Sequence, residues 1–148
     1  MEALSVGDPE ALWINTFGIW GEEVDALGLG HLLSHRWSDT VSYFGRGGPG
    51  DSAPTHHGRD YGLFNKGALQ RHLLEQCERG GLRWHRGRAR AIEHDASGST
   101  VTTAAGDRLR ARLVIDASGH EPVFVRRPVD GPVAGQAAYG IVGRFSAP

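Results

Sequence analysis

Apolar positions along the chain change their period several times. Between residues 65 and 81 they fall at helical spacing: Leu69, Leu73, Leu74 and Cys77 share one face, Asn65 can cap the first turn, and Gly80 and Gly81 stop the run. A helix is predicted there. Upstream, the stretch GEEVDALGLGHLL starting at Gly21 carries Val24, Leu27, Leu32 and Leu33 at roughly helical spacing, with acids in its first turn where the helix dipole favours them. Gly28 and Gly30 weaken that helix, each by about 1 kcal/mol against alanine. Residues 40–44, TVSYF, form a β-prone run that ends in the loop GRGGPGDSAPTHHGRD. After the capped helix the pattern returns to strand over 82–92, the turn DASGS at 95–99 leads to VTT, and AAGD leads to a strand starting at Leu109. This predicts a three-stranded meander. In its last strand Leu109, Ala111 and Leu113 alternate with arginines, and then 113–115 becomes wholly apolar, as a strand does on passing from a wet sheet into a covered parallel one. A final strand is expected over 139–145.

Composition narrows the class. At 148 residues, 39% hydrophobic and a formal net charge of −1, the chain has the size of one domain able to bury a core. No apolar run is long enough to span a bilayer and the start does not read as a signal peptide, which makes the cytoplasm the default compartment. Nearly balanced charge argues against a nucleic-acid partner, because phosphate binding shows first as a basic excess. The single cysteine, Cys77, cannot form an internal disulfide, and its place in the helical pattern suits a small buried side chain.

Several constellations could carry chemistry. Asp116, Ala117, Ser118 and Gly119 directly follow the apolar run, and in open α/β sheets ligands sit outside the carboxyl ends of strands, where a glycine-containing turn lets the backbone approach. The same residues are ordinary choices for a plain strand-ending turn, and spacing alone does not separate the two. Gly45, Gly47 and Gly50 formally satisfy the GxGxxG pattern, but Pro49, Pro54 and polar residues follow instead of a helix, so a loop is expected. His31 and His35 stand four apart and would share a helix face; without further ligands they read as structural or solvated. Glu22, Glu23 and Asp25 could supply a general acid or base if one were buried, and exposed first-turn acids are the commoner outcome. Trp13, Trp20 and Trp37 read as core, although an aromatic-lined apolar pocket would also suit a polyene. There is no GxSxG and no P-loop, and no metal site is expected.

Taken in order, LWINTFGIWGEE at 12–23, Trp37, RDYGLFNKGALQRHL at 59–73, LVIDASGH at 113–120 and QAAYGIVGRF at 136–145 resemble successive blocks of the lycopene cyclase family. The family's Trp, Asn, Gly, Trp pattern falls on Trp13, Asn15, Gly18 and Trp20, with Glu22 and Glu23 following as an acidic pair. Its Tyr-Gly block falls on Tyr61, Gly62, Lys66 and Leu69, and its Asp-Ala-Thr-Gly block on Asp116, Ala117, Ser118 and Gly119. Two positions depart from it: Lys66 stands where arginine is usual, and Ser118 where threonine is usual. Lysine offers no bidentate fork to a phosphate.

The resemblance implies an α/β fold: part of an FAD/NAD(P)-binding, Rossmann-like flavoprotein with a β-meander. As an internal stretch it would lack the N-terminal GxGxxG βαβ unit, for which about 30 residues are needed, and the C-terminal region. The whole of 1–148 is expected to be one incomplete domain, with 1–80 on the substrate side including an FAD-proximal helix, 81–120 the meander and DASG loop, and 121–148 the start of a substrate-domain sheet. By the same resemblance FAD is the cofactor, with NAD(P)H as a reductant in the intact enzyme. Lys66, Asp116, Ala117, Ser118 and Gly119 would approach the FAD, and Glu22 and Glu23 are the nominated catalytic acids. The implied activity is cyclisation of lycopene or a similar linear carotenoid by acid/base chemistry without net redox change, an intramolecular lyase or isomerase reaction. A lipid-soluble substrate implies association with the bilayer surface, and no partner protein is identifiable. The alternatives are an FAD-dependent reductase or monooxygenase on the same scaffold, or a non-catalytic remnant. The isolated chain is expected neither to retain FAD nor to cyclise lycopene.

Overall fold

Asn65 does what its position predicts: its side-chain oxygen accepts a hydrogen bond from the Ala68 amide at 3.1 Å and caps the helix Lys66–Arg79. In the computed structural model, which describes residues 2–43, 53–119 and 122–125, this is the longer of two α-helices. In chain order the elements are β1 (Leu4–Val6), β2 (Gly18–Trp20), α1 (Gly21–Ala26), a 3-10 turn (Gly30–Leu32), β3 (Leu33–Trp37), β4 (Val41–Ser42), β5 (Thr55–His56), β6 (Tyr61–Phe64), α2 (Lys66–Arg79), β7 (Arg83–His85), β8 (Ala89–Asp95), β9 (Gly98–Thr103) and β10 (Arg108–Ala111).

Pairing among these elements is mostly non-local. β1 runs parallel to β7, with Leu4 opposite Arg83 and Val6 opposite His85, so α2 leads into a strand that lies beside the start of the chain. β6 is the centre of an antiparallel sheet ordered β2-β6-β3, and β4 pairs with β5. The meander β8-β9-β10 is antiparallel, with β9 in the middle. On β9 the residues Ser99, Val101 and Thr103 are buried and alternate with half-buried neighbours, as expected of a β-branched strand covered on one face. The main core lies between α1, β6 and α2. Val24, Leu32, Phe64 and Leu69 are buried there, with Trp13, Phe17, Ile19, Leu29, Leu33 and Ala68 packed against them.

Four expectations are corrected. The helix read from Gly21 to Leu33 stops after Ala26: the Gly28 amide bonds the Asp25 carbonyl and the Leu29 amide bonds that of Val24, closing the turn. Leu33 then enters β3 because Phe64 and Leu63 on β6 offer it and His35 a ladder, so tertiary pairing overrides the helical period. Within the described residues of the run 40–44, Val41 and Ser42 are strand, and Thr55 and His56, read as loop, form their partner. The strand expected over 82–92 is two strands, since Arg83–His85 follows β1 while Ala89–Asp95 joins the meander. Finally, 113–115 is not in a covered sheet. Regular pairing ends at Ala111 and Leu113 and Ile115 are 76% and 79% exposed, because no strand among the described residues lies beside them. The glycines 45, 47 and 50 and the strand expected over 139–145 lie outside the described residues.

Candidate functional site

The acids Glu22 and Glu23 open α1 immediately after β2, both exposed. Arg59 faces them. Its Nε lies 3.5 Å from Oε1 of Glu22 and its Nη2 3.5 Å from Oε1 of Glu23, while its guanidinium carbon stands 4.4 Å from the centroid of the Trp20 ring. Trp20 in turn meets Tyr61 edge-on, with ring centroids 5.2 Å apart. The arrangement is therefore one cation that touches a pair of carboxylates and a tryptophan face.

The other side of α1 is fastened by Arg36 of β3. Its Nη1 and Nη2 donate to the two carboxylate oxygens of Asp25 at 2.8 and 2.9 Å, and its Nε donates to Asp60 at 2.9 Å. The hydrogen bonds that Arg36 donates to Asp25, and then to Asp60, raise its guanidinium above its usual range, and the same bond to Asp25 holds that carboxyl below the usual carboxylate range. The Gly21 amide also donates to the Asp60 carbonyl at 2.8 Å. Thus β3, α1 and the approach to β6 are tied at one point, which fixes where Glu22 and Glu23 start.

Gly18 shows why this block has its particular residues. A Cβ there would lie 2.1 Å from the Tyr61 hydroxyl oxygen, so glycine is what lets the tyrosine cross β2 and reach Trp20. Trp13 meets Phe17 edge-on at 5.1 Å, and both rest on the main core, whereas Leu12 and Ile14 point outward.

Asp116 closes the turn expected to approach a cofactor. Its Oδ1 accepts from the Ser118 hydroxyl and from the Ser118 amide at 3.0 Å, and its Oδ2 from the Phe124 amide at 3.0 Å. The Ser118 hydroxyl, then the Phe124 and Ser118 amides, hold the Asp116 carboxyl below the usual carboxylate range. Ala117, Ser118 and Gly119 are exposed, and Gly119 has φ of 82° with nothing within 4 Å of where a Cβ would stand. Its backbone is open to a close approach. A cleft of about 310 Å³ lies behind the turn, lined by Ile92, His94, Leu113, Val114, Asp116 and Phe124 among others.

Lys66 directs its ammonium elsewhere. It donates to the Trp13 carbonyl at 3.1 Å and lies 3.5 Å from that of Ile14. Among the described residues no hydrogen bond or ion pair joins it to the 116–119 turn or to Glu22 and Glu23. His31 and His35 also part company: the first bonds the Gly28 carbonyl at 3.1 Å, and the ring of the second lies 4.4 Å from that of Trp37. Sequence reasoning gave no role to Arg36, Arg59 or Asp60. The available signal was the RD pair just before Tyr61, two charges beside a β-prone run, but their partners lie far away in sequence.

Comparison with known proteins adds the following. The lycopene cyclase protein family matches residues 1–148. The chain is 54% identical to the lycopene beta cyclase of Synechococcus elongatus over 148 residues, all of this chain and 34% of that protein. It is 31% identical to the chloroplastic lycopene beta cyclase of Arabidopsis thaliana over 134 residues, 90% of this chain and 26% of that one. The chain thus spans about a third or less of the length of these curated relatives. Among solved structures, Klebsiella pneumoniae HpxO complexed with FAD and uric acid is similar with a TM-score of 0.50 at 18% identity, covering 83% of this chain and 40% of HpxO. An HpxO variant complexed with FAD gives a TM-score of 0.50 at 17% identity, covering 83% and 41%. The likeness is one of fold: an α/β chain similar to part of these two structures, in which the meander, β2-β6-β3 and β4-β5 are antiparallel.

Proposed function

The chain belongs to the lycopene cyclase family, and on that premise we propose that it carries part of the machinery of a carotenoid cyclase, closing rings on a linear polyene such as lycopene without net redox change. The observation that supports this reading is the site at α1, where Arg59 links the carboxylates of Glu22 and Glu23 to the face of Trp20. Cyclisation adds a proton to an end-group double bond, lets a neighbouring double bond attack the cation, and removes a proton. A carboxyl group can give the first proton and a carboxylate can take the last, so the acid is regenerated. An aromatic face and a carboxylate both attract the intervening positive charge. That Arg59 already rests between them indicates that the site tolerates a cation.

FAD is the proposed cofactor, and the open backbone of Ala117 to Gly119 is the surface that would hold its edge. When bound, the flavin supplies electrostatic stabilisation through its reduced, charged form. Asp116, tied to Ser118 and Phe124, keeps the turn shaped for that contact. A substrate that dissolves in bilayers supports contact with the membrane surface; no helix among the described residues is long and apolar enough to cross one.

The test is a chimera in which residues 1–148 replace the matching stretch of the cyanobacterial relative, expressed in a host that accumulates lycopene. Ringed carotenoids are expected. A chimera that retains flavin but leaves the polyene linear would overturn the reading, and reduced or hydroxylated acyclic products would assign the scaffold to redox chemistry instead. Glu22→Gln and Glu23→Gln in that chimera test the acid pair, with loss of ringed product and unchanged flavin content expected.

A further inference from the structure

Between β1 and β2 the chain runs through an irregular stretch, and side chains of α2 satisfy its carbonyls. Lys66 takes Trp13 and Ile14 at 3.1 and 3.5 Å, and one helical turn later the Gln70 side-chain amide donates to the Pro9 and Ala11 carbonyls at 3.0 and 2.9 Å. Residues i and i+4 share a helix face, so the two side chains form one row of donors running along the stretch. Both are half-buried, and their nitrogens serve backbone groups that have no ladder of their own. The result is a loop held at four carbonyls. Trp13 is turned in against Phe17 and the core, while Leu12 and Ile14 on either side of it are 88% and 90% exposed.

We propose that Lys66 and Gln70 are positioning residues that staple residues 9–14 to α2, and that the Lys66 ammonium is committed to this staple and not to a phosphate of the cofactor. The staple fixes Trp13, and through Phe17 the entry into β2: the Phe64 amide of β6 donates to the Phe17 carbonyl at 2.9 Å. β2 ends at Trp20 and hands the chain directly to Glu22 and Glu23, so the staple sets the start of the element that delivers the acid pair. Its catalytic consequence rests on the cyclase reading above, whereas the staple does not.

In the chimera, Lys66→Met and Gln70→Leu are each expected to raise amide hydrogen exchange in 9–14 by about ten-fold, the change that ~1.4 kcal/mol of easier local opening gives. Both should lower kcat while flavin affinity is retained. Lys66→Arg should restore protection, because a guanidinium can donate to the same carbonyls. Gln70→Leu separates the two roles, since a phosphate contact by Lys66 predicts that it is silent. Flavin affinity lost in Lys66→Met with exchange at 9–14 unchanged would overturn the proposal, as would unchanged exchange in both variants. If the unmodified chimera makes no ringed product, the exchange readout still decides the staple, and only the cyclase reading fails.

Discussion

At Arg36 a single guanidinium serves two carboxylates that arrive from different elements, Asp25 on α1 and Asp60 before β6. Nothing in the spacing of these residues announces the cluster, because each reads singly as a solvated charge. What unites them is the antiparallel pairing of β3 with β6, which places Arg36 opposite Gly62. The partnership has a pH signature. Hydrogen bonding from Arg36 lowers the Asp25 carboxyl in the folded state, so its contribution is present above the unfolded-chain value, about 3.9, and is lost as pH falls through the lower folded value. Urea midpoints measured against pH should therefore fall in the wild type below about pH 4, and should be lower at neutral pH but flatter across that acid window in Asp25→Asn. An identical acid limb in the two proteins would remove Asp25 from the account. Glu22 and Glu23 are nominated in the sequence by the block they share with the family; the cation that faces them, Arg59, was not legible, because it reaches them from the distant approach to β6.

Helix α2 was legible from end to end because its signals are local: the Asn65 cap, the periodic leucines and the closing glycines all fall within a few turns. The meander was legible for the same reason, its turns being short and rich in Asp and Gly. β1, β2 and β6 were not. Each has only three or four residues, too few for alternation to show, and each finds its partner across long stretches of chain. The Trp-Gly-Trp spacing was visible, yet its cause is an element-level fact, the ring of Tyr61 on β6 crossing the bare backbone of Gly18 on β2. Gly18→Ala should thus push Tyr61 off Trp20. Overpacking of this kind costs about 1–3 kcal/mol, to be read as a lower unfolding midpoint together with a changed near-ultraviolet aromatic signal. An unaltered spectrum with an unaltered midpoint would mean that the tyrosine gives way freely.

For the molecule as a whole, the parallel sheet of the described residues consists of just β1 and β7, and Leu113 and Ile115 after β10 lie exposed. A fully apolar 113–115 segment is costly to leave in water, and its sequence is that of a strand with both faces covered. The same three residues thus answer differently in two contexts. In the 148-residue chain by itself Leu113 is largely exposed, so Leu113→Asp should leave the unfolding midpoint nearly unchanged. In the chimera, where additional chain is available to cover this segment, the same change would bury an unpaired carboxylate directly before the Asp116 turn, and flavin retention should be lost. Visible flavin absorbance of the two chimeras, beside thermal melts of the two short chains, makes the comparison. Equal flavin content with and without Leu113→Asp would show that 113–115 remains at the surface in the longer protein, and the 116–119 turn would then have no covered sheet to project it toward a cofactor.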